Sequence, residues 1–376
     1  MAPQLGTRLK HVRDQLGLTA QQVNKETGIG ASSLSEWENG KREPSFSQLS
    51  SLASAYSKDV SFFLSEEPLQ DKEVVLWREK PSSEQAGDIE NKLLSLAKQY
   101  QRLEQLCGDP RPCKLEQSNI PVDKFNRTTA CALAHKFQEK HSLGSRPANS
   151  LRSVLEEYCR VKVFHLDFEP SGTAACTRSE QFGAAILLNS NNIRWRRNFD
   201  LAHELFHLLT WNSFRKGHAV AETSPKEESL ANQFASCLLM PTGPLTLAVN
   251  FQSDENFQLD YDDLFEISRQ FDVSALALVW RLVDMRFITR DAAKEIIESI
   301  QMRVAIWDRR KSGTPPLRPV RFEALALEAV EKGLISTGKF AQFMGISRAA
   351  AMKQIENEVY AVQGGGERAK IQLDCS

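Results

Sequence analysis

The sequence predicts a mainly α-helical fold with one small β-sheet. Apolar residues recur every three or four positions along most of the chain, which is the period of an amphipathic helix. Two segments have the pattern of strands: residues 161–166 alternate in polarity, and residues 183–189 are almost continuously apolar. The length of 376 residues suggests two or three domains. We therefore expect a helical protein with a short sheet near the middle of the chain.

The composition excludes several classes of protein. The chain carries 47 Lys+Arg and 48 Asp+Glu, a formal net charge of −1. This balance argues against a protein that coats nucleic acid without specificity, although it leaves room for a small local DNA-binding module. No apolar run approaches the about 18 residues of a membrane span, and no secretory signal pattern begins the sequence. We therefore expect a cytoplasmic protein without a membrane partner.

The seven cysteines are predicted to be reduced. Their number is odd, and no two of them have the C-x2-C spacing of a thiolate zinc site. Without a secretory signal, a disulfide framework is not expected either.

The chain is predicted to divide into five segments. Short helical patterns with glycine and serine turns fill residues 1–66. A polar, proline-bearing linker and a long amphipathic helix occupy residues 67–122. Residues 123–256 hold both predicted strands, residues 257–363 are helical, and residues 364–376 follow three glycines as a flexible tail.

Two short helices about a glycine turn are predicted near the N-terminus. Thr19 is suited to cap a helix over residues 20–27, because its hydroxyl can accept hydrogen bonds from free backbone amides. Gly28-Ile29-Gly30 supplies a tight turn, and a second helix follows at 31–37. This pattern is a helix-turn-helix, whose second helix can lie in a major groove of DNA.

The N-terminal segment resembles the lambdoid-repressor (XRE) type of DNA-binding domain. The resemblance is carried by Thr19, Val23, Gly28, Leu34 and the run 37–44, Trp-Glu-Asn-Gly-Lys-Arg-Glu-Pro. It implies binding to a double-stranded DNA operator, usually as a homodimer on half-sites about 34 Å apart. The base-facing positions would be Ala31, Ser32, Ser33 and Glu36. The phosphate contacts would be Asn39, Lys41 and Arg42.

Two departures and the charge qualify this resemblance. Ala20 stands where the family usually has a phosphate-contacting glutamine, and Asn24 stands where a small alanine normally packs. Residues 1–64 hold seven basic and six acidic side chains, a net charge of +1. Since phosphate neutralisation dominates DNA affinity, binding is expected to be modest and salt-sensitive. The alternative is a helix-turn-helix used only for protein contact.

A metal site is predicted at the sequence H-E-x-x-H. On a helix, His203 and His207 share one face and can hold one ion, while Glu204 can reach a water molecule on that ion. Asp200 is the predicted N-cap of this helix. The next amphipathic helix begins at Glu227-Glu228 and offers a carboxylate, as in the His2Glu set of catalytic zinc sites. The alternative is a buried helix with two incidental histidines.

Residues 125–300 resemble the ImmA/IrrE family of metallopeptidases. The motifs that carry the resemblance are 196–207 (RRNFDLAHELFH), 228–235 (E-x-x-A-N-x-F-A) and 238–241 (LLMP). The resemblance implies an α+β, zincin-like peptidase core with His203, His207 and Glu228 as metal ligands and Glu204 as general base. Zinc is the expected metal, with manganese as the alternative. Glu227 competes as the third ligand, and Phe206 stands where many members have glycine.

The resemblance also implies a mechanism. The metal lowers the pKa of its bound water and polarises the scissile carbonyl, and Glu204 moves the water proton to the leaving amine. The oxyanion needs a further donor. The candidates are His165, Arg196, His218 and Tyr261, which the sequence does not rank.

The functional hypothesis is a metal-dependent endopeptidase and DNA-binding regulator. The resemblance implies that it cleaves a helix-turn-helix repressor and so derepresses stress or mobile-element genes. The alternative is a transcriptional repressor or antitoxin-like regulator whose metal domain is a sensor or scaffold, and a third interpretation is self-cleavage within 65–90. Helix pairs at 264–282 and 338–355 are predicted to give a substrate-docking or dimerising region, or a second DNA contact.

Overall fold

The computed structural model describes residues 2–15, 18–56, 60–64, 73–81, 83–169, 173–215, 222–255, 257–307 and 315–363. The predicted tail at 364–376 and part of the predicted linker lie outside these residues. The chain forms two compact units, Met1–Glu73 and Val74–Ser376, here called the N-terminal unit and the main unit. The predicted class, mainly helical with a small sheet, is confirmed.

The N-terminal unit is helical throughout the elements that the structure describes in it. Its helices are α1 (Ala2–Gln15), α2 (Ala20–Thr27), α3 (Ala31–Glu38), α4 (Phe46–Ala55) and α5 (Val60–Leu64). Thr19 caps α2 by accepting from the Gln22 amide, and Gly28 ends it with a φ of 73°. That left-handed conformation favours glycine, because glycine has no Cβ to clash with the backbone. The predicted helix-turn-helix, α2 followed by α3, is therefore present.

Apolar packing and one close backbone approach hold α3 in place. Leu34 and Trp37 of α3 are buried in the core of this unit, as predicted. A Cβ on Gly6 would lie 2.3 Å from the carbonyl oxygen of Trp37, so a glycine lets α1 approach the end of α3. Asn24, where the resembling family has alanine, donates from Nδ2 to the Ile29 carbonyl oxygen at 2.8 Å and so braces the turn.

The main unit contains a four-stranded sheet and thirteen α-helices among its described residues. The strands are β1 (Val75–Trp77), β2 (Lys162–Leu166), β3 (Ala174–Ser179) and β4 (Gly183–Asn189). The helices are α6 (Ser83–Leu106), α7 (Arg127–Lys140), α8 (Leu151–Ser153), α9 (Arg194–Leu209), α10 (Trp211–Phe214), α11 (Pro225–Leu239), α12 (Thr242–Gln252), α13 (Tyr261–Phe271), α14 (Ala275–Asp284), α15 (Arg290–Trp307), α16 (Val320–Glu331), α17 (Thr337–Met344) and α18 (Arg348–Gln363).

The sheet has the strand order β1-β3-β4-β2. Strands β2 and β4 are parallel, with Phe164 opposite Leu187, and the other two pairs are antiparallel. Alternate residues of β4 enter different hydrophobic cores, as the period of a strand requires. Ile186 packs with α7, α9 and α11 on one face, whereas Leu187 packs with α6, α16 and α17 on the other. The unit is thus a sheet between two helical layers.

The second layer draws on distant parts of the sequence. Helix α6 comes from the predicted segment 67–122, and α16 to α18 come from the predicted segment 257–363. These helices share one hydrophobic core with the strands of segment 123–256. A buried ion pair adds to this junction: Glu104 of α6 accepts from Lys162 of β2 at 3.3 Å and from Arg321 of α16.

The expectation that every cysteine is reduced is wrong at two positions. Cys131 of α7 and Cys237 of α11 form a disulfide across 106 residues, with their Cα atoms 5.4 Å apart. Helices α7 and α11 lie side by side in the core, and the spacing of cysteines in a sequence does not reveal such packing. Cys107, Cys113, Cys159 and Cys176 are free. Cys375 lies outside the described residues.

No single helix within the described ranges has both the length and the apolar character to cross a bilayer. Helices α11 and α12, bent by 63° where they meet, reach that length and apolar character only when they are taken together.

Candidate metal centre and DNA-facing helix

Helix α9 carries three of the predicted site residues. It is buried over most of its length, and its apolar side chains Leu201, Leu205 and Phe206 pack into the main core. His203 and His207 project one helical turn apart towards α11, and both are almost completely buried. The fold therefore places two imidazoles between α9 and α11, shielded from bulk water.

His203, His207 and Glu228 converge on one point. The Nε2 atoms of the two histidines are 3.2 Å apart. The Glu228 carboxylate reaches across from α11, with Oε2 3.0 Å from Nε2 of His203 and Oε1 3.4 Å from Nε2 of His207. One ligand atom from each residue lies within 4.8 Å of the others, which is a donor set suited to a divalent metal.

The other ring nitrogens of both histidines have oxygen partners. His203 Nδ1 lies 3.1 Å from Oδ1 of Asn232, and His207 Nδ1 lies 3.0 Å from Oε1 of Glu227. Partners of this kind hold Nδ1 protonated and leave the Nε2 lone pair for a metal. Glu227 also accepts from Arg215 at 2.8 and 3.1 Å. Glu227, the competitor for the third-ligand role, therefore faces the outer nitrogen of His207, whereas Glu228 faces the inner ones.

Charge and burial shift the pKa values of these groups. Burial lowers the pKa of His203 to about 4, which favours the neutral imidazole that a metal requires. Burial also disfavours charged His207, but hydrogen bonds to Glu227 and Glu228 raise its pKa to about 9. Burial would raise the pKa of Glu227, yet its contacts with His207 and Arg215 lower it overall. A metal bound here would take the place of the proton on Nε2 of His207.

Glu204 is the least satisfied polar residue of the site. It is fully buried, and both carboxylate oxygens lack a hydrogen-bond partner. Burial raises its pKa to about 7, although the charge of nearby His207 opposes the shift. An unpaired buried carboxyl group costs free energy, so such a group in a native site implies a further polar partner. A metal with its water molecule fits both this acid and the three converging ligand atoms.

Asp200 is not the helix cap that the sequence predicts. Helix α9 begins six residues earlier, after Ile193, and Asp200 lies inside it. The buried Asp200 carboxylate binds Arg78 at 2.5 Å and Arg196 at 3.1 Å. Arg78 also donates to Oδ1 of Asn232 at 3.3 Å. Arg78, which the sequence analysis missed, thus connects the end of β1 to the partner of His203, over a separation that sequence patterns do not reveal.

The three candidate oxyanion donors that the structure describes are dispersed. Arg196 lines a cleft that also contains Glu228. His165 lies buried on β2, where its side chain interacts with the Pro316 backbone, and burial lowers its pKa to about 3. Tyr261 begins α13 and packs at the edge of the main core. His218 lies outside the described residues. Of the described candidates, Arg196 lines this cleft, whereas His165 and Tyr261 do not.

The predicted DNA-facing residues lie along α3 and the turn after it. Ser32, Glu36, Asn39, Lys41 and Arg42 are exposed, and Ala31 and Ser33 are half-buried. Asn39 ends the helix and donates from Nδ2 to the Ser35 carbonyl oxygen at 2.7 Å. These positions form a solvent-facing surface opposite buried Leu34 and Trp37, as a recognition helix requires.

The two helix pairs predicted in the C-terminal third also form. Helices α13 and α14 meet at Asp272, and α17 and α18 meet at Gly345, each with a left-handed residue at the turn. Both pairs are partly buried in the main unit, α13 and α14 in one core and α17 in the other.

Two family models match the chain. Residues 9–63 match the model described as "Helix-turn-helix". Residues 156–283, which include α9 and α11, match the peptidase model described as "IrrE N-terminal-like domain". No curated protein sequence matches significantly.

Three solved structures are similar over most of their length, but only weakly. PlcR from Bacillus thuringiensis, in complex with the peptide PapR7 and DNA, is 13% identical, with 96% of this chain and 99% of that chain covered and a TM-score of 0.21. ComR from Streptococcus suis is 13% identical (97% and 96% covered, TM-score 0.17), and ComR from S. thermophilus is 12% identical (89% and 100% covered, TM-score 0.17).

Proposed function

We propose that this chain, which joins an XRE-type helix-turn-helix domain to an IrrE/ImmA-like metallopeptidase domain, is a metal-dependent endopeptidase and a DNA-binding regulator. Its substrate would be a helix-turn-helix repressor, whose cleavage in the cytoplasm derepresses stress or mobile-element genes. The convergence of His203, His207 and Glu228 beside the unpaired, buried Glu204 supports the peptidase activity.

The chemistry follows from the positions of these side chains. His203, His207 and Glu228 would hold zinc, or alternatively manganese, and the ion would lower the pKa of a water molecule and polarise a peptide carbonyl. Glu204 accepts the water proton on a carboxylate oxygen and delivers it to the leaving amine. Asn232 and Glu227 keep the two imidazoles oriented. Arg196, on the cleft wall, is the candidate donor to the oxyanion.

Cleavage of a repressor tests this function directly. The purified full-length chain is incubated with zinc and the helix-turn-helix repressor encoded next to its own gene. We expect defined fragments, complete loss of cleavage with a chelator, and recovery when one equivalent of zinc is returned. Mass spectrometry of the fragments gives the cleaved bond. Equal cleavage with and without chelator, or an intact repressor beside the fully metallated chain, would refute the proposal.

The second part of the proposal is binding of a DNA operator as a homodimer. The exposed surface of α3 and the basic residues Lys41 and Arg42 after it support DNA contact. The same surface also favours the alternative function, a transcriptional repressor or antitoxin-like regulator. In that case the metal domain would act as a sensor or a scaffold.

Salt-dependent DNA binding is the measurement for this part. In gel shifts on the protein's own promoter, Lys41→Ala and Arg42→Ala are each expected to weaken binding and to reduce the salt slope by about one. Lys10→Ala is the matched control, since Lys10 is an exposed lysine of α1 outside the proposed contact set. If the salt dependence of DNA binding is unchanged in both variants, these two residues do not contact phosphate. Promoter repression that is indifferent to chelator, with no cleavage of any repressor, would favour the alternative.

A further inference from the structure

A large cleft opens beside the candidate metal centre. Its volume is about 750 Å³, within the range of about 300–1,000 Å³ that is usual for ligand sites. Glu228 and Asn232 line one part of it, so the cleft borders one of the three proposed metal ligands. Helices α9, α11 and α14 supply most of the walls. A peptide held at the metal would extend along this cleft.

Arginines dominate the charge of the cleft. Four of them line it, against the lining carboxylates of Glu228 and Asp284 and the buried Asp200 behind two of the arginines, which leaves an excess of one positive charge before any metal binds. The four arginines are Arg78, Arg127, Arg196 and Arg290.

Three of these guanidiniums are held in place. Asp200 binds both Arg78 and Arg196, and Asp284 accepts from Arg127 at 2.6 Å. The fourth, Arg290, is exposed at the start of α15 and has no ion pair within the ranges that the structure describes. Anchored guanidiniums offer a carboxylate paired N–H donors with little loss of side-chain entropy.

The cleft also contains an apolar surface. Trp280 and Leu276 of α14 line it and remain 42% and 43% exposed. Phe199 and Trp195 of α9 extend this surface, and the Arg78 guanidinium lies 5.3 Å from the Phe199 ring centre. Exposed large apolar side chains beside a few charged groups are typical of a binding site.

We infer that this cleft selects peptide segments in which an acidic side chain lies near a large apolar one. Arg127 and Arg290 are the exposed arginines of the set and are not bound to the buried Asp200, so they are the ones that bind the acidic side chain. The wall formed by Leu276 and Trp280 receives the apolar side chain. The positive excess disfavours segments rich in lysine and arginine. This inference rests on the proposed peptidase function and adds its substrate class. Phosphate groups of a nucleic acid would also suit arginines, but the apolar wall and the contact with the metal centre favour a peptide.

The test measures binding without cleavage. The full-length Glu204→Gln chain, loaded with zinc and immobilised, is incubated with a random decapeptide library, and retained peptides are sequenced by mass spectrometry. We expect Asp and Glu to be enriched about three- to fivefold, the effect of one partly exposed ion pair. Leu, Phe and Trp are expected to be enriched beside them. A single-stranded DNA of 20 nucleotides, offered in competition, should displace none of the peptides.

Three further variants in the Glu204→Gln background test whether the arginines bind the acidic side chain and whether Trp280 binds the apolar one. Arg127→Ala and Arg290→Ala should each reduce the acidic enrichment towards one and leave the apolar enrichment in place. Trp280→Ala should reduce the apolar enrichment towards one and leave the acidic enrichment in place. Lys294→Ala is the matched control, because Lys294 is an exposed cation of α15, one turn from Arg290, and does not line the cleft. Its acidic enrichment should match that of the parent.

The outcomes separate this inference from the proposed function. The inference would be overturned if no peptide is retained, if the retained peptides are not enriched in Asp and Glu, or if DNA displaces them. It would also be overturned if Lys294→Ala loses as much acidic enrichment as the arginine variants. The wild-type chain is therefore also tested for hydrolysis of the same library. Acidic enrichment without hydrolysis would support the inferred preference of the cleft and refute the proposed peptidase activity. Hydrolysis without a preference for acidic peptides would support the peptidase activity and refute the inferred preference.

Discussion

Replacing Glu204 by glutamine is expected to stop peptide hydrolysis and to leave metal binding intact. The amide has nearly the shape of the carboxyl group but cannot accept the proton of an attacking water molecule. Loss of a general base lowers a rate by about 10²- to 10⁴-fold. Glu204 is not among the three converging ligand atoms, so Glu204→Gln removes no donor from the metal. The expected result is a folded, metallated and nearly inactive chain.

Two measurements on the same sample decide this prediction. The kcat/KM for repressor cleavage gives the rate loss, and elemental analysis gives zinc per chain. Glu139→Gln is the control, since Glu139 is exposed on α7 and the same negative charge is removed there. Activity within tenfold of the wild type, with zinc still bound, would show that another group takes the proton. An inactive Glu139→Gln chain would point to a general effect of charge.

Short-range geometry explains why much of the site is predictable. His203 and His207 lie one turn apart because α9 is helical, and the period of a helix is enough to bring their ring nitrogens together. Thr19 and Gly28 are likewise local signals, a cap and a left-handed turn, and the helices they bound form where the sequence predicts them. Strand β2 follows from the alternating polarity of residues 161–166, and β4 follows from the apolar run at 183–189.

Long-range packing explains what the sequence did not show. Arg78 and Asp200 are 122 residues apart, so no spacing rule connects them. Without that partner, Asp200 resembles a helix cap, although α9 begins six residues before it. Strand β1 has three residues, and β3 has little alternation in its sequence, Ala-Ala-Cys-Thr-Arg-Ser. These two strands are defined by pairing with each other and with β4, which local patterns do not contain.

The choice between Glu227 and Glu228 also depends on packing. Adjacent residues on a helix point about 100° apart, so only one of the two can face the histidines from inside. Which one does so is set by the rotation of α11 against α9. In the structure, Glu228 approaches both Nε2 atoms, whereas Glu227 is held on the outside by Arg215.

Adjacent glutamates of α11 therefore give a matched pair of variants with different expected losses of zinc. Glu228→Gln removes the proposed third ligand and leaves two imidazoles to hold the ion. Glu227→Gln removes the same charge one residue away but only weakens the hydrogen bond that orients His207. Loss of such an outer partner lowers metal affinity by about 10- to 100-fold. We expect Glu228→Gln to exceed that range and Glu227→Gln to fall within it.

Competition with a fluorescent zinc chelator measures both affinities on the full chain. The pKa of Glu228 supports the assignment: burial would raise it, but the facing His203 and His207 hold it well below the usual range. The carboxylate therefore stays ionised and able to bind a cation over the whole neutral pH range. A larger loss of zinc in Glu227→Gln than in Glu228→Gln would reverse the two roles and place the metal on the Arg215 side of His207. Equal losses would mean that neither glutamate alone completes the site, so His203 and His207 would have to bind the ion with donors other than these two.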